Sequence, residues 1–215
     1  MITKKVDEIT ERFHVDVETD KYKPVYNAAP SRQLPVIHNQ DAEKLNFFQW
    51  GLIPLWAKDA SIGNKMINAR SETLLEKPAF RNLLKSKRCL VISDGFYEWQ
   101  KTPQGKLPQC IRLKNNELFA MAGVWDQWKD PDGNIRQTFT IITCSPNELM
   151  ASIHNRMPAI LSKNEERLWL DNNLKPVDAL KLLKPYDTEL MHAYEVSTLV
   201  NSPRNDFAEI IEPIE

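Results

Sequence analysis

Near the start of the chain, Val6, Ile9 and Phe13 recur at helical spacing among charged residues, which predicts an amphipathic helix from about Lys4 to His14. The pattern then breaks: Tyr22–Pro30 is Pro-punctuated and extended, and Phe47–Ile53 reads as a strand ended by Pro54 and Trp56. Ile67–Arg70 is ambiguous from pattern alone, and a helix is expected over about 72–85. Strands follow at 88–93, 96–100, 109–113, 118–126 and 138–144, with Asp130–Asn134 as the turn before the last. Ser145-Pro-Asn-Glu148 combines a cap, a first-turn Pro and a Glu, and so marks a helix start. Ser162-Lys-Asn-Glu165 repeats the capping pattern, and a further helix spans 176–184. Runs of strands interrupted by helices, without regular alternation, predict an α+β fold. Its centre is a curved or barrel-like antiparallel sheet with peripheral helices, in one domain covering 1–215.

Composition narrows the function classes. The 215 residues are 42% hydrophobic, enough for a sizeable core, and the net charge of −1 excludes a general polyanion binder. Any nucleic-acid contact must come from a local patch. Cys89, Cys110 and Cys144 are odd in number and widely spaced, with neither disulfide-framework nor metal-site spacing. The expectation is a cytoplasmic protein with no metal, no cofactor and no membrane partner.

Candidate chemistry starts at Asp94-Gly-Phe-Tyr-Glu-Trp99, where one carboxylate, Glu98, stands among three aromatic rings. In an extended chain Glu98 shares a face with Phe96, while Tyr97 and Trp99 point the other way. Desolvation there raises a carboxylate's proton affinity, as a general acid or base needs near neutral pH. A rim Glu paired with a Lys or Arg is the plainer alternative. His154 follows a short helix in Ser152–Pro158, and its imidazole suits proton transfer or a structural hydrogen bond; Arg156 beside it can hold an acid or a phosphate. Asn68 and Arg70, two apart, face the same side if extended, suiting one polar ligand and one phosphate. Lys77, Arg81, Lys85, Lys87 and Arg88 form a basic run without an acid, and Trp50 and Trp56 offer stacking faces beside it.

Six stretches, taken in order, resemble the SOS response-associated peptidase (SRAP) family, which includes bacterial proteins and the eukaryotic 5-hydroxymethylcytosine-binding protein. They are Tyr26–Pro30, Gln49–Trp56, Asn68–Glu72, Asp94–Trp99, Ile153–Pro158 and Val200–Arg204, and the resemblance runs from about residue 20 to 207. It implies a β-rich domain that binds single-stranded DNA and shields abasic sites through a covalent protein–DNA crosslink; the chain is expected to be a monomer. In the family an N-terminal cysteine attacks the ring-opened sugar aldehyde, with its amine forming a Schiff base and its thiol closing a thiazolidine. By resemblance Asn68 orients that terminus, Glu98 shuttles protons, and His154 assists ring opening. Arg70 would contact phosphate, with Arg156, Lys77 and Arg81 as further basic contacts, while Trp50 and Trp56 line or flank the DNA cleft.

The chain reads Met1-Ile2-Thr3-Lys4 where the family reads Met-Cys-Gly-Arg. The expectation is a chain that starts a few residues late, with the cysteine just ahead of it. Two other readings stay open: a non-catalytic single-strand-binding module, and a peptide or small-molecule hydrolase using Glu98 and His154 without DNA.

Overall fold

A computed structural model describes residues 1–214. In chain order the strands are β1 (Gln33–His38), β2 (Asp41–Trp50), β3 (Asn68–Arg70), β4 (Arg88–Ser93), β5 (Phe96–Thr102) and β6 (Gly105–Leu113). There follow β7 (Phe119–Lys129), β8 (Ile135–Cys144), β9 (Met157–Pro158), β10 (Ile160–Leu161) and β11 (Met191–Glu195). The helices are α1 (Val6–Phe13), α2 (Pro78–Ser86), α3 (Glu148–Ala151), α4 (Lys163–Leu170) and α5 (Pro176–Lys181).

Strands β7, β4, β1, β2 and β8 lie side by side, and β8 pairs back onto β7, so the sheet closes on itself as a barrel. Closure uses one parallel contact, Gln49 and Trp50 of β2 against Thr138 and Phe139 of β8. All six residues of β4 are buried, because this strand sits between β1 and β7 and Trp169 of α4 donates to its Cys89 carbonyl. A second sheet, β11-β6-β5, carries Glu98, with Met1, Cys110, Val196 and Val200 packed on Tyr97 and Trp99. Phe96 packs instead against the main core. The alternation expected around Glu98 is therefore present. The α+β barrel expectation holds, and among the described residues no helix is long and apolar enough to cross a membrane.

Local chemistry moved several boundaries. The helix expected from about 72 begins only at Pro78, because the residue before a proline is pushed to extended backbone, and Lys77 has φ −78° and ψ 125°. Ser71–Thr73 form a separate 3-10 turn. The helix expected from Ser145 is one turn, capped by Asn147, whose side chain accepts from Met150 N at 2.9 Å and donates to the Tyr186 carbonyl. Ser162 and Glu165 do form a capping box at α4.

β2 ends at Trp50 rather than Ile53, because Gly51 turns to φ +117° and lies against Gly63. A Cβ on Gly51 would come within 2.7 Å of the Gly63 carbonyl oxygen. Gly51→Ala is expected to cost about 1–3 kcal/mol, from left-handed strain and the clash together, read as a lowered midpoint in denaturant titration.

Arg88, expected on a phosphate-facing strip, is completely buried. Its Nε donates to the Trp169 carbonyl (2.6 Å), Nη1 to Leu84 (2.7 Å) and Nη2 to Asp171 (2.5 Å). These carbonyls end α2 and α4, where helices leave oxygens without intrahelical partners and carry partial negative charge. One guanidinium thus closes two helix ends. Lys87 is likewise occupied, 2.6 Å from Asp126. The strip is dismantled at its C-terminal end by its own packing.

Candidate active site

β3 is only three residues long and pairs in parallel with the outer side of β8, Asn68 opposite Ile141 and Arg70 opposite Thr143. Its pleat buries Ala69 and exposes Asn68 and Arg70 on the same side. Trp50 steadies its approach, with Nε1 donating to the Ile67 carbonyl at 2.9 Å. Glu98 comes from β5 on the second sheet, opposite Gln109. His154 comes from the turn after α3, where its backbone N–H donates to the Met150 carbonyl at 2.7 Å.

These segments meet around one cavity of about 420 Å³. Asn68, Glu98, His154, Arg156 and Trp50 all line it, and Val91, Ile92, Met121 and Ile141 give it an apolar wall. Glu98 Oε2 lies 3.7 Å from His154 Nδ1, which is also 3.3 Å from the Arg156 carbonyl. Glu98 is about one-quarter exposed, and burial pushes its carboxyl above the ordinary range; the nearby His154 works against that rise. A carboxyl so placed keeps its proton to higher pH than a free one and can pass it to a group in the cavity.

Met1 and Ile2 enter the same cavity. Ile2 exchanges two backbone hydrogen bonds with Val25, and the Met1 α-amine donates to the Gly95 carbonyl at 2.8 Å. Asp94, fully buried, accepts from the Thr3 backbone N–H at 2.9 Å and from Arg112 Nη2 at 2.7 Å. The Met1 carbonyl is 2.7 Å from Ser93 Oγ. Burial lowers the proton affinity of the Met1 amine. Sequence reasoning missed this grip. The one signal was an acid directly after an apolar strand.

Not every expected residue arrives. Trp56 is 62% exposed, and neither it nor Lys77 or Arg81 lines the cavity. Arg156 does line it, but its guanidinium is held by Glu72 at 2.6 and 2.9 Å. The three thiols lie elsewhere and are buried; desolvation raises all of them, Cys144 to about 11, so none is a ready nucleophile. Two other motifs prove to be braces. Asp206 accepts from the backbones of Tyr26 and Asn27 and from Arg32, and Asn27 donates to the Val200 and Ser202 carbonyls. A larger depression of about 820 Å³ lies between α1 and α4, apart from Glu98 and His154, and holds the Arg12–Glu166 ion pair.

Comparison with known proteins gives a consistent answer. Residues 1–203 match the family described as SOS response associated peptidase (SRAP). The abasic site processing protein YoqW of Bacillus subtilis is 50% identical over 211 residues, 96% of this chain and 94% of that protein. The abasic site processing protein HMCES of Gallus gallus is 38% identical over 229 residues, 91% of this chain and 68% of that protein. A crystal structure of a Bacteroides thetaiotaomicron protein superposes with a TM-score of 0.91 at 33% identity, covering 100% of this chain and 98% of the other.

Proposed function

The chain belongs to the SOS response associated peptidase family, and from that premise we propose that it binds single-stranded DNA at abasic sites and processes them through a covalent link made in this cavity. The observation that supports this most is the meeting of Glu98, His154 and Asn68 around the entry of the Met1–Thr3 segment.

The chemistry runs from those groups. An abasic deoxyribose opens to an aldehyde, and an amine attacks its C1 carbon while the carbonyl electrons move to oxygen. Proton transfer from nitrogen to that oxygen gives a carbinolamine. Its hydroxyl leaves as water on accepting a proton from Glu98, and the nitrogen lone pair closes the C=N bond of a Schiff base. His154 beside Glu98 relays protons for ring opening, and Asn68 orients the amine. The apolar wall keeps bulk water from competing. The amine is that of residue 1 when the chain is made from Met1, and that of a cysteine when an upstream extension supplies one. The cysteine thiol would then close a thiazolidine.

DNA is held at the exposed β3 edge. Arg70 does not line the cavity, but it is exposed on the same short strand as Asn68, which does, so it takes the phosphate next to the lesion. Trp50 lines the cavity itself. Arg70→Ala is expected to weaken binding to a single-stranded oligonucleotide by about 1–3 kcal/mol and to flatten its salt dependence, read by fluorescence anisotropy at several ionic strengths. The function itself is tested with an abasic oligonucleotide and denaturing gels, using chains that start at Met1 and chains extended upstream, with and without borohydride. A heat-stable adduct from the extended form, or a borohydride-trapped one from either, supports the proposal. Binding without any adduct from either form leaves a single-strand-binding module instead.

A further inference from the structure

Arg156 is held on two sides. Nη1 and Nη2 reach the two carboxylate oxygens of Glu72, and Nη2 also donates to the Thr143 carbonyl. Its Nε is buried without a partner, so the contacts at Nη1 and Nη2, with the Thr143 hydroxyl at 3.4 Å as a further acceptor, fix the plane of the guanidinium. Glu72 sits in the 3-10 turn that continues directly from β3, two residues after Arg70. Arg156 lies two residues after His154, and its backbone carbonyl faces His154 Nδ1. A single two-pronged ion pair therefore joins the segment carrying Asn68 and Arg70 to the segment carrying His154. The His154 segment is otherwise tied by its backbone donors to the Met150 carbonyl and by buried Ile153 and Met157 on either side. Gln100 also donates to the Ser152 carbonyl, and the two-residue β9 pairs with the end of β8; none of these ties reaches the β3 segment.

We propose that Glu72 is a positioning residue, which sets His154 against Glu98 by holding Arg156. This deepens the function proposed above and rests on it. Two parallel hydrogen bonds to a planar guanidinium fix orientation as well as distance, which a lysine contact would not. Arg156 is 18% exposed and Glu72 50%, so the pair adds little to global stability. Its effect is geometric. A displacement of about 1 Å in a proton-transfer group costs on the order of 10²-fold in rate.

The first experiment needs no reaction with DNA. The Glu98 carboxyl is titrated by carbon NMR in the full chain, with and without His154→Gln, in wild-type and Glu72→Ala backgrounds. Removing His154 should raise the Glu98 midpoint in the wild type, and that rise should shrink by about half or more once Glu72 is gone. An equal rise in both backgrounds overturns the proposal, whether or not the protein processes DNA. The second experiment uses abasic and intact single-stranded oligonucleotides. Glu72→Ala should slow adduct formation at saturating DNA by about 10–100-fold, with affinity for the intact oligonucleotide within about threefold. The charge-swapped pair Glu72→Arg with Arg156→Glu should recover about tenfold in that rate over either single change. Lost affinity with an unchanged saturated rate overturns positioning in favour of a phosphate contact through Arg156. Absence of any adduct from the wild type counts against the proposed function and leaves the NMR result to decide on Glu72.

Discussion

Glu98→Gln is expected to leave single-strand affinity within about twofold while slowing adduct formation by about 10²–10⁴-fold, the usual contribution of a positioned general acid. Gln keeps the shape and the contact with the Trp99 backbone but has no proton to give. The pH dependence should confirm the role. Loss of the carbinolamine hydroxyl needs protonated Glu98, and burial raises its proton affinity. The wild-type rate should therefore fall as pH rises through the elevated Glu98 value, and this fall should vanish in the Gln variant. Stability should move the other way. A carboxyl whose folded pKa exceeds its unfolded one contributes stability fully only below the unfolded value, and that contribution is lost as pH rises through the folded value. Glu98→Gln should thus melt higher than wild type at about pH 8, with the difference closing at about pH 4 and below. A variant that is slower but no more stable at high pH would show that Glu98 acts as an ionised carboxylate.

The largest effect on folding should come from Arg88. Arg88→Ala removes the donor for carbonyls at the ends of both α2 and α4, and each buried unpaired acceptor costs about 1–3 kcal/mol. The expected total is on the order of 4 kcal/mol, a fall of roughly 8–16 °C in melting temperature for a chain of this size. Arg88→Lys should recover little of it. A single ammonium cannot reach carbonyls spread around a planar guanidinium, and it gives up its charge more readily when buried. Thermal melts of the two variants decide this. A lysine variant close to wild type would mean that charge alone, and not the fork, holds the helix ends.

The contrast between Arg88 and Arg70 shows where sequence reading works here. Arg70 sits in a stretch whose pattern alone is ambiguous, but once it is extended the period of two puts Arg70 on the side of Asn68. Arg88 also begins a strand, but its surroundings are two helix ends that approach only in the folded molecule, and no local pattern announces them. The same holds for Arg156, read as able to hold an acid or a phosphate: that the acid is Glu72, 84 residues away in sequence, shows only in the folded molecule. Glu98 was legible for a different reason: a carboxylate flanked by rings is unusual whatever the tertiary context. β1 went unseen because Pro35 speaks against a strand. In the molecule Pro35 pairs only with β2, and the pairing of β1 with β4 begins one residue later, at Val36. β11 is short and mixed in polarity, and it is a strand because β6 offers it an edge.

The closing contact of the barrel, β2 against β8, also sets a schedule for the chain's manufacture. Gln49 must wait for Thr138, so a ribosome delivers more than half of the protein before the ring can shut. Until then β2 and β7 each keep an edge open for β8, the condition in which nascent β-rich chains cross-associate. His154 and Arg156 emerge later still. A chain stopped before them already carries the exposed Arg70, but it has no imidazole beside Glu98. The Glu98–His154 pair is therefore assembled only after most of the chain has been made.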